Sequence, residues 1–195
     1  MRRCHTFLFA DLVGFTAFTE SFGDEAAADV AVRFTEAAAR LAQDHGACLV
    51  KCLGDGVMLR GGDAGPTVQL GLRMQSELAG VDGLPPIHAG AHTGCAVERG
   101  GDWYGAAVNL AARVANSARG GELLLTEATV AAAGQMHDVE LEGLGPQLFR
   151  NVAEPTPVYS VRRAIAPERA WLHGREGHHG DPALGPPRLV PLGAV

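Results

Sequence analysis

Apolar positions along this chain follow two different periods, and those periods predict its elements. Residues 7–10 form a continuous aromatic and apolar run with the character of a buried strand. Thr16, just beyond it, has the side chain of a helix N-cap, with a hydroxyl suited to accept from free first-turn amides. A helix follows over 24–44, where Val30, Phe34, Ala38 and Leu41 share one face and Gly46 suits the C-terminal end. Two apolar runs, 47–53 and 57–60, are joined by Gly54-Asp55-Gly56, a strong hairpin signal that puts Asp55 at the tip. Pro66 then opens a helix with Leu70, Met74 and Leu78 inward. Over 87–93, Ile87, Ala89 and Ala91 alternate with His88, Gly90 and His92, as a strand requires. A Gly100-Gly101 turn precedes a third long helix over 104–118, and strands follow at 123–126 and 157–161. The order predicts an α+β fold, a sheet with helices on one face.

Composition sets the outer limits. With 47% hydrophobic and 19% charged residues in a chain of 195, the reading is one globular domain with a real core. Its boundary falls near residue 163, because 164–195 turns to Pro, Gly, Arg and His without apolar periodicity and is expected to be a disordered tail. His173, His178 and His179 read as part of that polar surface rather than as metal ligands. A net charge of −6 without a basic stripe argues against nucleic acid and anionic membranes. No run reaches the roughly 20 apolar residues of a membrane span, and the start lacks a signal-peptide core, so the expected location is cytoplasmic. Cys4, Cys48, Cys52 and Cys95 show no CxxC spacing and are expected to be reduced, mostly buried thiols.

Two aspartates carry the chemistry. Asp11 ends the first buried strand and Asp55 sits between glycines, positions where a carboxylate is costly without a positive partner. A divalent metal with a phosphate would meet that need. No Walker A loop or GxGxxG is present. Gly14 allows close backbone approach, and the amides of the following helix start at Phe15 and Thr16 offer an anion site. The plain alternative is that Asp11 only caps that helix. On the third helix Asn109 and Arg113 share a face among mainly apolar neighbours, so Arg113 calls for an anionic partner, a surface acid being the simplest.

Together these residues reach a resemblance. FADLVGFT (9–16), KCLGDGVML (51–59), HTG (92–94) and GDWYGAAVNLAARV (101–114) resemble the class III nucleotide cyclase catalytic domain over roughly residues 6–161. The resemblance implies a ferredoxin-like βααββαβ fold and conversion of a nucleoside triphosphate to the 3′,5′-cyclic monophosphate and pyrophosphate. It implies that Asp11, Asp55 and the Leu12 carbonyl hold two divalent cations, Mg²⁺ or Mn²⁺. Asn109 would orient the ribose, Arg113 would neutralise the transition state, and Arg150 stands where many relatives place a triphosphate-binding Lys. Asn151 beside it replaces the usual Gly.

Lys51 and Asp102 match the family's purine-reading pair. A Lys donor and an Asp acceptor complement N1 and the 6-amino group of adenine, whereas guanine opposes both. Such opposition discriminates by up to about 10⁴. The plain alternatives are an N-cap for Asp102 and a solvated strand position for Lys51. The expected protein is therefore a soluble adenylate cyclase acting on ATP, a homodimer with sites shared head to tail. A guanylate cyclase and a catalytically silent nucleotide-binding module are the rivals. With no sensor domain expected ahead of residue 7, control is left to concentration, the dimer equilibrium or a regulator at the 164–195 tail.

Overall fold

The structure, a computed structural model, describes residues 2–78 and 83–164, the side chains of residues 2 and 3 excepted. The elements run β1 (Arg2–Leu12), α1 (Phe15–Phe22), α2 (Asp24–Asp44), β2 (Ala47–Cys52), β3 (Gly56–Gly61), α3 (Ala64–Leu78), β4 (Ile87–Arg99), β5 (Asp102–Tyr104), α4 (Ala106–Ser117), β6 (Leu123–Thr126), α5 (Glu127–Ala133), β7 (Val139–Gln147) and β8 (Thr156–Arg163). From β1 to β4 this is the expected βααββαβ order, and the sheet is mixed. Its strand order is β2-β3-β1-β4-β6-β8-β7, with β5 paired to β4. Among the described residues only β4 and β6 pair in parallel, and the other ladders are antiparallel. The expected tail from 165 onward lies outside the described residues.

Alternation along β1 assigns its two faces. Leu8, Ala10 and Leu12 are buried in the main core with Val30, Phe34, Leu70 and Met74 of α2 and α3. Phe7 points the other way, into a second cluster with Met58, Trp103, Ala107, Val108 and Ala111. Helix α4 thus covers part of the opposite face. Its approach depends on Gly90, where a Cβ would run into the backbone of Val114 and Ala115. The helix that carries Asn109 and Arg113 therefore rests directly on β4, because that strand offers no side chain there.

Several local expectations change. Thr16 lies inside α1, whose N-cap is Gly14 at φ 70° with no side-chain capping bond. The third long helix starts at Ala106 rather than 104, because Arg99 and Asp102 pair and turn 102–104 into a short strand. Strand β4 runs on to Arg99, beyond the expected end at 93. Cys4 and Cys95, opposed in the β1–β4 register, are disulfide-bonded rather than reduced. Cys48 and Cys52 are free, and Cys52 is exposed rather than buried. Among the described residues no helix is long and apolar enough to cross a membrane.

Candidate functional site

Asp11 is the penultimate residue of β1, opposite Gly56 on one side and His88 on the other. A Cβ on Gly56 would stand 2.5 Å from Asp11 Oδ1, so the glycine makes room for the carboxylate. Leu12 N–H donates to the Asp55 carbonyl at 3.3 Å, and Val13 N–H to the Pro86 carbonyl at 2.7 Å. The first bond ties the end of β1 to the β2–β3 hairpin turn and so brings Asp11 and Asp55 to one place, while the second ties Val13 to the residue before β4. Burial and the negative charge of Asp11 hold the Asp55 carboxyl above its ordinary pKa. His88 Nε2 lies 3.6 Å from Asp11 Oδ2, and its Nδ1 is 2.8 Å from the Ala115 carbonyl. The contact with Asp11 holds the His88 imidazole above its usual pKa.

The two aspartates open onto a cleft of about 560 Å³ that is also lined by Leu12, Gly14, Phe15 and Thr16. Phe18 N–H is bonded to the Gly14 carbonyl, which leaves the earlier amides of α1 without partners in the helix. Acidic oxygens and free amides therefore face the same space. Asp11 does not cap α1, so that alternative is not realised.

Asn109 and Arg113 line a separate cleft of about 500 Å³ with His92, Ala106, Ala107, Asn151 and Val152. No residue belongs to both clefts. Arg113 makes no ion pair with a carboxylate among the described residues, so the simple surface pairing is absent. Arg150 is exposed in the loop between β7 and β8, next to Asn151. Asn151 adopts φ 59°, the left-handed region where Asn is among the best tolerated side chains.

Lys51 and Asp102, 51 residues apart in sequence, meet at 2.7 Å. The other carboxylate oxygen of Asp102 accepts from the Trp103 amide, also at 2.7 Å. The Lys51 hydrogen bond, foremost, and then the amide hold the Asp102 carboxyl below its usual pKa. Asp102 is no N-cap, since Gly105 takes that position, and Lys51 is an ion-paired residue.

His88, His92 and Asn151 also line the clefts, beyond the site residues that the sequence predicts. The signal for the two histidines was present: both fall on the polar face of the 87–93 alternation.

No protein-family model matches the chain. It is 34% identical over 164 residues to a pH-sensitive adenylate cyclase of Mycobacterium tuberculosis, covering 81% of this chain and 40% of that protein. An adenylate cyclase of Streptomyces coelicolor is 30% identical over 187 residues, covering 89% of this chain and 49% of the relative. The chain thus spans half the length or less of these curated relatives. The solved structure of the guanylyl cyclase Cya2 matches with a TM-score of 0.76 at 25% identity, covering 87% of this chain and 96% of that one.

Proposed function

The chain belongs to the class III nucleotide cyclases, and we propose that it is an adenylate cyclase that makes 3′,5′-cyclic AMP and pyrophosphate from ATP between two copies of itself. One observation carries the reading: the acidic groups and the Asn109–Arg113 pair occupy two clefts of a single chain that share no residue. Each cleft supplies half of what phosphoryl chemistry needs, and a head-to-tail pair of chains would bring unlike halves together. Residues 1–163 would form this catalytic unit.

The donor set suits hard cations. Two adjacent carboxylates and the Leu12 carbonyl offer only oxygen, and Asp55 carries the repulsion of Asp11 that a cation would relieve. No cluster of three or more His, Cys, Asp or Glu forms among the described residues, which fits ions whose remaining ligands are substrate phosphates and water. Two bound Mg²⁺ or Mn²⁺ ions would supply a more acidic ribose 3′-hydroxyl and charge neutralisation at the pyrophosphate.

The chain's own groups do the rest. Gly14 and the free amides at Phe15 and Thr16 cradle the terminal phosphates. From the second copy, Arg113 stabilises charge on the α-phosphoryl group, Asn109 orients the ribose and Arg150 reaches the triphosphate. Asp102, anchored by the Trp103 amide, accepts from the 6-amino group of adenine. Lys51 spends one of its three N–H donors on Asp102 and keeps others for N1.

The test incubates the pure protein with ATP or GTP and Mg²⁺ or Mn²⁺ and measures both cyclic products. Cyclic AMP should dominate. Cyclic GMP as the main product would overturn the base assignment, and nucleotide binding without either product would favour the silent module.

A further inference from the structure

His92 stands in the Asn109–Arg113 cleft, yet none of the roles above uses it. Its ring is held from behind by a chain of threonine hydroxyls. Thr6, Thr126 and Thr129 are buried, and Thr93 links them. The distances are 2.8 Å for Thr6–Thr93, 3.3 Å for Thr93–Thr129, 3.3 Å for Thr126–Thr129 and 2.8 Å for Thr126 to His92 Nδ1.

Each hydroxyl has one hydrogen to give, and that fixes the direction of the chain. Thr129 donates to the Ala91 carbonyl at 3.3 Å, so it can only accept from its threonine neighbours. Thr93 donates to Thr129, and Thr126 must then donate to Thr129 as well. With its hydrogen committed, Thr126 Oγ1 is left as an acceptor for His92. This hydrogen-bond network assigns the proton of the ring to Nδ1.

Nε2 is consequently a bare lone pair, on the side of the ring turned away from Thr126. Gly94 leaves space there: a Cβ at that position would lie 3.0 Å from Nε2 and 2.8 Å from the Ala107 Cβ. Burial depresses the pKa of His92, which keeps the ring neutral and the lone pair available. An acceptor beside an Arg and an Asn calls for a ligand that brings a donor. Among the donors of a bound adenine nucleotide, the 6-amino group is met by Asp102 and the 3′-hydroxyl is committed to the reaction, and the 2′-hydroxyl remains.

Resting on the cyclase reading of this site, we propose that His92 is a further substrate-contacting residue, whose Nε2 accepts a hydrogen bond from the ribose 2′-hydroxyl. The test is a two-by-two comparison of wild type and His92→Asn with ATP and 2′-deoxy-ATP. It follows nucleotide affinity as well as kcat/KM for cyclic product. Asn retains a donor for Thr126 but has nothing at the Nε2 position. Wild type should favour ATP by about fivefold to tenfold, the span of one good hydrogen bond. His92→Asn should lower that preference to within twofold, chiefly by weakening ATP.

Equal handling of the two nucleotides by wild type would overturn the proposal, and that result needs no variant to fold. An unaltered ATP preference in a folded His92→Asn protein, with both nucleotides weakened alike, would also overturn it and leave His92 a structural role. Absence of any cyclic product would instead sink the cyclase reading, while the affinity comparison would still decide the role of His92.

Discussion

Gly56→Ala sets one methyl group against the carboxylate of Asp11. The position has no positive φ, so alanine fits the backbone and the damage is local. The new Cβ would lie 2.5 Å from Asp11 Oδ1 and 3.3 Å from the Ala10 carbonyl oxygen, whereas ordinary contact begins at 3.4 Å. The backbone oxygen needs to yield little. The carboxylate must retreat by nearly 1 Å, or turn away from the cleft. Mg²⁺ tolerates little of this, because it demands near-ideal octahedral geometry with oxygens at about 2.0–2.1 Å. A displacement of roughly 1 Å at a reacting centre typically costs about 10²-fold in rate. Mg²⁺-supported cyclic AMP formation at saturating ATP should therefore fall about 100-fold. The overpacking itself should cost about 1–3 kcal/mol, read from urea unfolding. A folded variant with activity within threefold of wild type would refute the placement of a catalytic cation at Asp11.

Gly90→Ala acts on the scaffold: its Cβ would meet the main chain of α4, so unfolding in urea should show a loss of about 3 kcal/mol or more. Asp102→Ala should change the melting temperature only slightly, since solvent-accessible ion pairs contribute little, yet lower the ATP-over-GTP preference by about tenfold in kcat/KM. Asp55 gives a pH signature. Its folded pKa is raised, so the folded state holds this proton more tightly than the unfolded chain, and its favourable contribution is lost as pH rises through the folded value. With chelator present, Asp55→Asn should raise Tm at neutral pH, and the gain should vanish as pH falls below the ordinary carboxylate value of 3.8. A lower Tm at neutral pH would contradict that sign.

Elements with one strong period could be read from the sequence. Helix α2 begins and ends at Asp24 and Asp44, as its apolar stripe predicts, and β6 occupies the expected four residues. Strand β7 was hidden because Gly143, Gly145 and Pro146 interrupt its alternation, and its pairing with β8 shifts register at those glycines. Helix α5 is seven residues of mostly alanine, too short to show a period. The site divides along the same line. The placement of Asp11 near a strand end and of Asp55 in the hairpin turn is legible because glycines and apolar runs mark both locally. His88 and His92 show in the sequence only as the polar face of the 87–93 alternation; no spacing shows their partners, which come from other elements: His88 meets Asp11 through the β1–β4 register, and His92 meets Thr126 of β6. The division of the groups between two clefts was beyond any spacing argument, since it depends on where α4 lies against the sheet.

Two inactive variants test the shared site most directly. On the proposed reading, Asp55→Ala would remove a metal ligand and Arg113→Ala the transition-state cation, so each homodimer should lack both sites. In a heterodimer one site loses both groups and the other keeps both. Equal amounts, exchanged to a random mixture, form heterodimers in about half of all dimers by mass action. Roughly a quarter of wild-type activity should therefore return on mixing. Activity that stays at the level of the separate variants, with subunit exchange verified, would contradict a site built from two chains.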